Sequence, residues 1–339
     1  QQEFLHKVRE FSEEIQTIYR YSFVMNAVAL SAPVEFVDQI EKLREVQEVQ
    51  KEPLYFRPPK AVNTVSFAGR LNNQTKQASD DWYTSVDHIK ATYGHEKLGI
   101  RGEGIRVGVI DSGIDYTHSM LGGKGNAELF QSIDPNQPNE HFPNQKVVGG
   151  KDFVGSLYQP GSVVKALSSP QPDPNPIDDR SGHGTHVAGT IAGIGDGVKT
   201  YSGVAPEAKL YALKVFGAGS TSDVVVSAAF EFAMDPNQDG DPSDRLDVLN
   251  LSLGGSYGNP NGTYEETLRN VVRAGVVVVA AAGNSGDTPY IVGSPSTTKE
   301  AISVAASIDG MEHNWKFPTV KFQTLRDDKP GADQDWVVR

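Results

Sequence analysis

The chain of 339 residues contains no cysteine. Disulfide staples, a thiol nucleophile and thiolate metal sites are therefore excluded. Long apolar runs are missing as well. The longest, AGVVVVAAAG at 274–283, falls short of the ~20 residues that cross a bilayer, so no membrane span is expected. Basic charge is in deficit. Lys and Arg number 31 against 43 Asp and Glu, a net charge of −12, which excludes a chain-wide nucleic-acid footprint. The opening QQEFLHKVRE is amphipathic and charged and has no leader core, so the protein is expected to be intracellular or to have lost a leader. What is present is ordinary globular composition, 38% hydrophobic and 22% charged, with room for one large domain and a smaller one.

Residues 1–56 read as a small α+β unit. EFLHKVREFSEEI has helical apolar spacing at Phe4, Leu5, Val8, Phe11 and Ile15. IYRYSFVMNAVAL, rich in β-branched and aromatic residues, predicts one strand. SAPVEFVDQIEKLREV predicts a helix with Val34, Val37, Ile40 and Leu43 on one face, and VQEVQKE a closing strand. Residues 57–85, with RPPK followed by polar residues, read as a linker. From about residue 104 strands and helices alternate: GIRVGVID, then the helix THVAGTIAGI, the strand AKLYALKVF and the helix SDVVVSAAFEFAM with Ser222 as its cap. LDVLNLSLGG, TYEETLRNVVRAG, VVVVAAAGNSG and AISVAAS continue the series. This order predicts an α/β, doubly wound, mainly parallel sheet over 86–339. Residues 155–178, rich in Pro, Ser and Asp, read as a surface insertion.

In such a sheet, ligands lie beyond the carboxyl ends of the strands. Three polar signals fall there. Asp111 ends GIRVGVID, Asn284 ends VVVVAAAGN, and His183 lies in the loop ahead of THVAGTIAG. A carboxylate after an apolar strand needs a partner, and histidine is a natural one; DSG is equally good turn chemistry. His183 sits between Gly182 and Gly184, whereas His186 falls on the apolar helix face with Val187 and Ile191 and reads as a satisfied core histidine or one that supports the site from behind. The two histidines are three apart with no following carboxylate, which is not zinc spacing. GEGIRVG is no dinucleotide fingerprint, because its glycines precede the strand.

VIDSGID, GHGTHVAG, LSLGG and AAAGNSG, in that order, resemble the subtilisin-like serine proteases, the subtilase family, over roughly residues 80–310. The resemblance implies a secreted serine endopeptidase acting on proteins or peptides. It implies that Asp111 is the triad aspartate, His183 the general base and Asn284 the oxyanion donor. It makes Ser252, Leu253, Gly254 and Gly255 one wall of the pocket for the residue before the scissile bond, and Ala280, Ala281, Ala282 and Gly283 the other. Residues 1–56 resemble the family's I9-type propeptide, a ferredoxin-like chaperone and inhibitor, here without its opening strand. No GTSMA-like nucleophile motif occurs, and Ser285, Ser294, Ser296 and Ser303 have the wrong contexts. The serine is therefore expected in a C-terminal segment beyond Arg339. The alternative is a catalytically silent binding or inhibitory module on the same scaffold.

One further stretch stands apart. Asp235, Asn237, Asp239 and Asp241, with Gly240 sixth, match the first half of a calcium loop. Leu246 occupies the place of the closing acid, with Asp244 or Asp247 as substitutes. A calcium site and a solvated acidic turn are both open on this pattern.

Overall fold

The computed structural model describes residues 1–50, 54–55, 85–195, 202–258 and 263–307. The predicted linker at 57–85 lies outside these residues except for its last.

The N-terminal unit runs helix, hairpin, helix. Helix α1 (Gln2–Phe11) precedes strands β1 (Gln16–Tyr21) and β2 (Ala27–Ser31), which pair antiparallel. The single predicted strand is thus two strands, joined by residues 22–26. The predicted second helix shrinks to a 3-10 turn and the short α2 (Val37–Glu41), and Val34 is exposed. Residues 46–50 form no strand; a short strand β3 (Leu54–Tyr55) follows instead. Leu5, Val8, Ile15 and Ile40 form a small core of their own.

Six strands build the main sheet: β4 (Arg106–Asp111), β5 (Val147–Asp152), β6 (Lys209–Lys214), β8 (Val248–Leu251), β9 (Val277–Ala281) and β10 (Ile302–Val304). Between β6 and β8 the short β7 (Thr221–Ser222) pairs antiparallel with β3. The sheet order is β10-β9-β8-β4-β6-β5, and every pairing is parallel. The predicted α/β class and the five predicted strands are present. β5 was missed by the sequence pattern, because Gly149, Gly150 and a register shift break its apolar run.

Side-chain alternation explains why the strands read as continuous apolar runs. Val107, Val109, Leu210 and Ala212 join the core on one face, while Ile110, Leu213, Leu249 and Leu251 join the core on the other. Helix α3 (His183–Ala192) covers the first face with Ala188 and Ala192. Helices α4 (Asp223–Met234) and α5 (Thr263–Arg273) cover the second. The direction in which strands are added to the sheet reverses at β4, which has β6 on one side and β8 on the other. A crevice at its carboxyl end is where this topology places a ligand.

The N-terminal unit docks on the second face. Tyr21, Val24 and Ala29 enter the same core as α4 and α5. Both oxygens of Glu231 in α4 accept backbone N–H groups from Ser22, Phe23 and Val24 at 2.6–3.0 Å. Tyr21 Oη donates to Val224 O at 2.8 Å, and Asn270 Nδ2 of α5 donates to Val24 O at 2.9 Å.

Candidate active site

Asp111 is the last residue of β4 and is 1% exposed. Its Oδ1 accepts two bonds, from the Ser112 N–H and from His183 Nδ1, both at 2.7 Å. The imidazole side chain is half-exposed, at 51%. One nitrogen is therefore held by a buried carboxylate while the ring remains open to the crevice. That is the arrangement a general base needs: fixed tautomer, fixed orientation and access.

His183 does not lie in the loop, as the sequence predicts, but is the first residue of α3. The helix begins earlier because Gly182, at φ +73°, supplies the left-handed turn into it. Gly184 serves a different need. A Cβ on it would lie 2.2 Å from Gly113 O and 3.1 Å from Asp111 Cβ, so α3 approaches the end of β4 more closely than any side chain permits.

Two further bonds lace these segments together. Gly184 N–H donates to Ser112 Oγ at 2.9 Å, and Asp115 N–H to Thr185 Oγ1 at 2.9 Å. Thr185 in turn donates through its N–H and Oγ1 to Asp178 Oδ2, at 3.2 and 2.9 Å. Burial raises the Asp178 carboxyl above its ordinary range, against the pull of these donors. Ser112, Thr185 and Asp178 escaped the sequence reading. Ser112 and Thr185 are signalled only by their place inside the two motifs that carry Asp111 and His183, and Asp178 only by lying four residues ahead of the second.

His186 is exposed, contrary to the core reading. The buried line of α3 is Gly184, Ala188 and Ala192, spaced by four, and His186 falls on the opposite side. The supposed surface insertion also ends inside: Asn175, Ile177 and Asp178 are buried. Asn175 Oδ1 accepts from the Tyr116 hydroxyl at 2.8 Å.

Asn284 lies exposed in the loop leaving β9, at the same carboxyl edge as Asp111. The two pocket stretches follow adjacent strands, with Leu251 and Ala280 in register. Leu253 and Ala280 are buried and pack with the core cluster beneath these stretches. Ser252, Gly254, Gly255, Ala281, Ala282 and Gly283 remain partly or fully exposed. Gly255 is braced by reciprocal backbone bonds to Ser294, at 3.0 and 3.1 Å. The serines dismissed on context are engaged with other hydroxyls: Ser285 with Ser256, Ser294 with Thr297 and Ser296 with Ser303.

The calcium-like stretch is closed by bonds within its own loop. Asp235 accepts from Asp239 N–H and Gly240 N–H at 3.1 and 2.9 Å. Asn237, Asp239 and Asp241 likewise turn their oxygens onto backbone N–H groups two residues on. These are turn-forming bonds within the loop. Among the described residues no group of three or more His, Cys, Asp or Glu side chains is arranged to hold a metal ion. No described helix is long and apolar enough to cross a membrane.

Residues 102–324 match the family model described as the Subtilase family. The chain is 38% identical over 290 residues to the Minor extracellular protease Vpr of Bacillus subtilis (strain 168), covering 85% of this chain and 30% of that protein. It is 34% identical over 226 residues to Subtilisin E of the same organism, covering 65% of this chain and 45% of that protein. To the M-protease of Shouchella clausii (strain KSM-K16) it is 32% identical over 276 residues, covering 74% of this chain and 58% of that protein. The chain thus spans from about a third to little more than half of the length of these relatives. A family match over well more than half of the chain, laid on a sheet that joins its aspartate and histidine at the switch point, places this chain in the subtilase family.

Proposed function

We propose that this chain forms most of the catalytic unit of a secreted subtilisin-like serine endopeptidase, together with its own inhibitory N-terminal segment. The observation that carries the reading is the 2.7 Å bond between His183 Nδ1 and buried Asp111 at the end of β4. His183 Nε2 takes the proton of a serine hydroxyl as that oxygen attacks the peptide carbonyl. The same nitrogen then returns the proton to the leaving amine. Asp111 holds the ring and stabilises the imidazolium between these steps. Asn284 donates its amide N–H to the developing oxyanion, a role worth about 10²–10³ in rate in a subtilisin. The attacking serine comes from a C-terminal segment outside the described residues. Substrates are proteins or peptides. The uncharged backbone of 252–255 and 281–283 favours uncharged side chains before the scissile bond.

The zymogen reading is supported by how the N-terminal unit sits. It covers α4 and α5, and β3 then pairs with β7 as an extended strand leading away from that unit. A substrate-like tail in the cleft would block it. Secretion is supported by similarity to a protease named as extracellular.

The complete gene product, expressed and incubated with a peptide library, tests the whole reading. It should cleave after uncharged residues and release a mature N-terminus within 57–85. A strong preference for Asp, Glu, Lys or Arg, or an N-terminus ahead of Val49, would contradict it.

A further inference from the structure

β6 ends in a lysine where an apolar strand needs none. Lys214 is 1% exposed and sits in register between Asp111 of β4 and Asp152 of β5. It follows Leu210 and Ala212 in alternation, so it belongs to the sheet face that α3 covers. Its Nζ lies 2.9 Å from Asp152 Oδ2 and 2.8 Å from Asp179 Oδ1. Burial opposes its charge, but the two carboxylates outweigh burial and hold the ammonium protonated.

The two carboxylates differ in what they are attached to. Asp152 is part of the sheet end; its Oδ1 accepts from Val154 and Gly155 N–H, each at 2.8 Å. Asp179 belongs to the loop that delivers His183, four residues before it. Its other oxygen faces Arg180 Nε at 3.5 Å. Asp178, beside it, is bonded to Ser181 N–H and to Thr185 of α3. The loop is thus fastened at one residue to the helix and at the next to the sheet. A half-exposed imidazole is held little by packing, so the segment leading into its helix must be held instead.

We propose that Lys214 is a positioning residue for the His183–Asp111 pair, its buried ammonium tying the loop that leads into His183 to the strand next to Asp111. Burying an ammonium carries a large desolvation cost and a buried ion pair is weak evidence for stability, so a positioning role gives it a use that stability alone does not.

The test is NMR of the folded chain, reading the low-field proton on His183 Nδ1 and its exchange with water. Lys214→Met and Asp179→Ala should each broaden or erase that signal, with exchange faster by about 10-fold or more. Lys214→Met leaves Asp152 buried and unpaired and can fail to fold; Asp179→Ala, at the loop end, keeps the test intact. Tyr21→Phe removes a hydroxyl bond to Val224 O in the core on the opposite sheet face and serves as the control. It should leave the signal unchanged. An unaltered signal in Asp179→Ala, or an equal loss in Tyr21→Phe, would overturn the proposal.

A kinetic arm rests on the peptidase reading above. In the complete gene product, Asp179→Ala should lower kcat by about 10-fold with KM nearly constant. An inactive parent would contradict the peptidase reading and leave the NMR result to decide the positioning role.

Discussion

Gly182 and Gly184 flank the same histidine for unrelated reasons, and their substitutions should separate. At Gly182 the backbone is left-handed and the space around a Cβ is empty, so Gly182→Ala carries only conformational strain, about 1–2 kcal/mol. At Gly184 a Cβ would collide with the Gly113 carbonyl, and backbone must move. Gly184→Ala should cost more, about 3 kcal/mol, and should lengthen the His183–Asp111 bond. Urea unfolding of the two variants checks the order; equal losses would remove the close-approach argument. At this scale the sequence was highly legible for Asp111 and His183, because a polar residue after an apolar strand and a histidine between glycines both break the local pattern. It was poorly legible for Lys214. A lysine inside ALKVF is a signal of a buried ion pair, but its partners Asp152 and Asp179 lie 62 and 35 residues away.

The elements show the same limit. The hairpin at residues 22–26 reads as continuous strand because it carries no Gly or Pro. Its turn is held instead by Glu231, 208 residues from Phe23. Glu231→Gln should therefore act on the hairpin more than on its own helix. A carboxylate accepting N–H bonds is roughly twice as strong an acceptor as a neutral amide. Protection of the Ser22, Phe23 and Val24 amides from hydrogen exchange should drop by about 10-fold, with α4 itself unaffected. Unchanged protection at those three amides would mean that packing of Tyr21 and Val24 alone holds the unit in place. The central strands β4, β6 and β8 were legible because they are largely buried and read as apolar runs, whereas β5 was not, since two glycines leave it no apolar periodicity.

At the scale of the whole molecule, the carboxyl edge of the sheet concentrates charge that burial makes costly. Asp173, bridged to Asp152 through its backbone, has its carboxyl pushed up to about 6 by burial, with the charges of Asp152 and Asp179 adding to the shift. The folded state therefore holds this proton more tightly than the unfolded chain, where an aspartate titrates near ~3.9. Stability is lost as pH rises through this window from about 4 to 6, and the charged form remains a standing cost above it. Asp173→Asn removes that cost. Allowing for partial exposure, it should stabilise the protein by about 1 kcal/mol at pH 7, with the gain gone by about pH 4. A gain independent of pH would assign the effect to something other than the carboxyl charge. The central claim, that His183 is the base of a peptidase, is tested most directly by one comparison in the complete gene product. Peptide hydrolysis by the His183→Ala and His186→Ala variants is measured beside the parent, with circular dichroism confirming that each is folded. His183→Ala should abolish hydrolysis and release of the N-terminal segment, and exposed His186→Ala should retain both near the parental level. Hydrolysis surviving in folded His183→Ala, or lost equally in folded His186→Ala, would contradict the account.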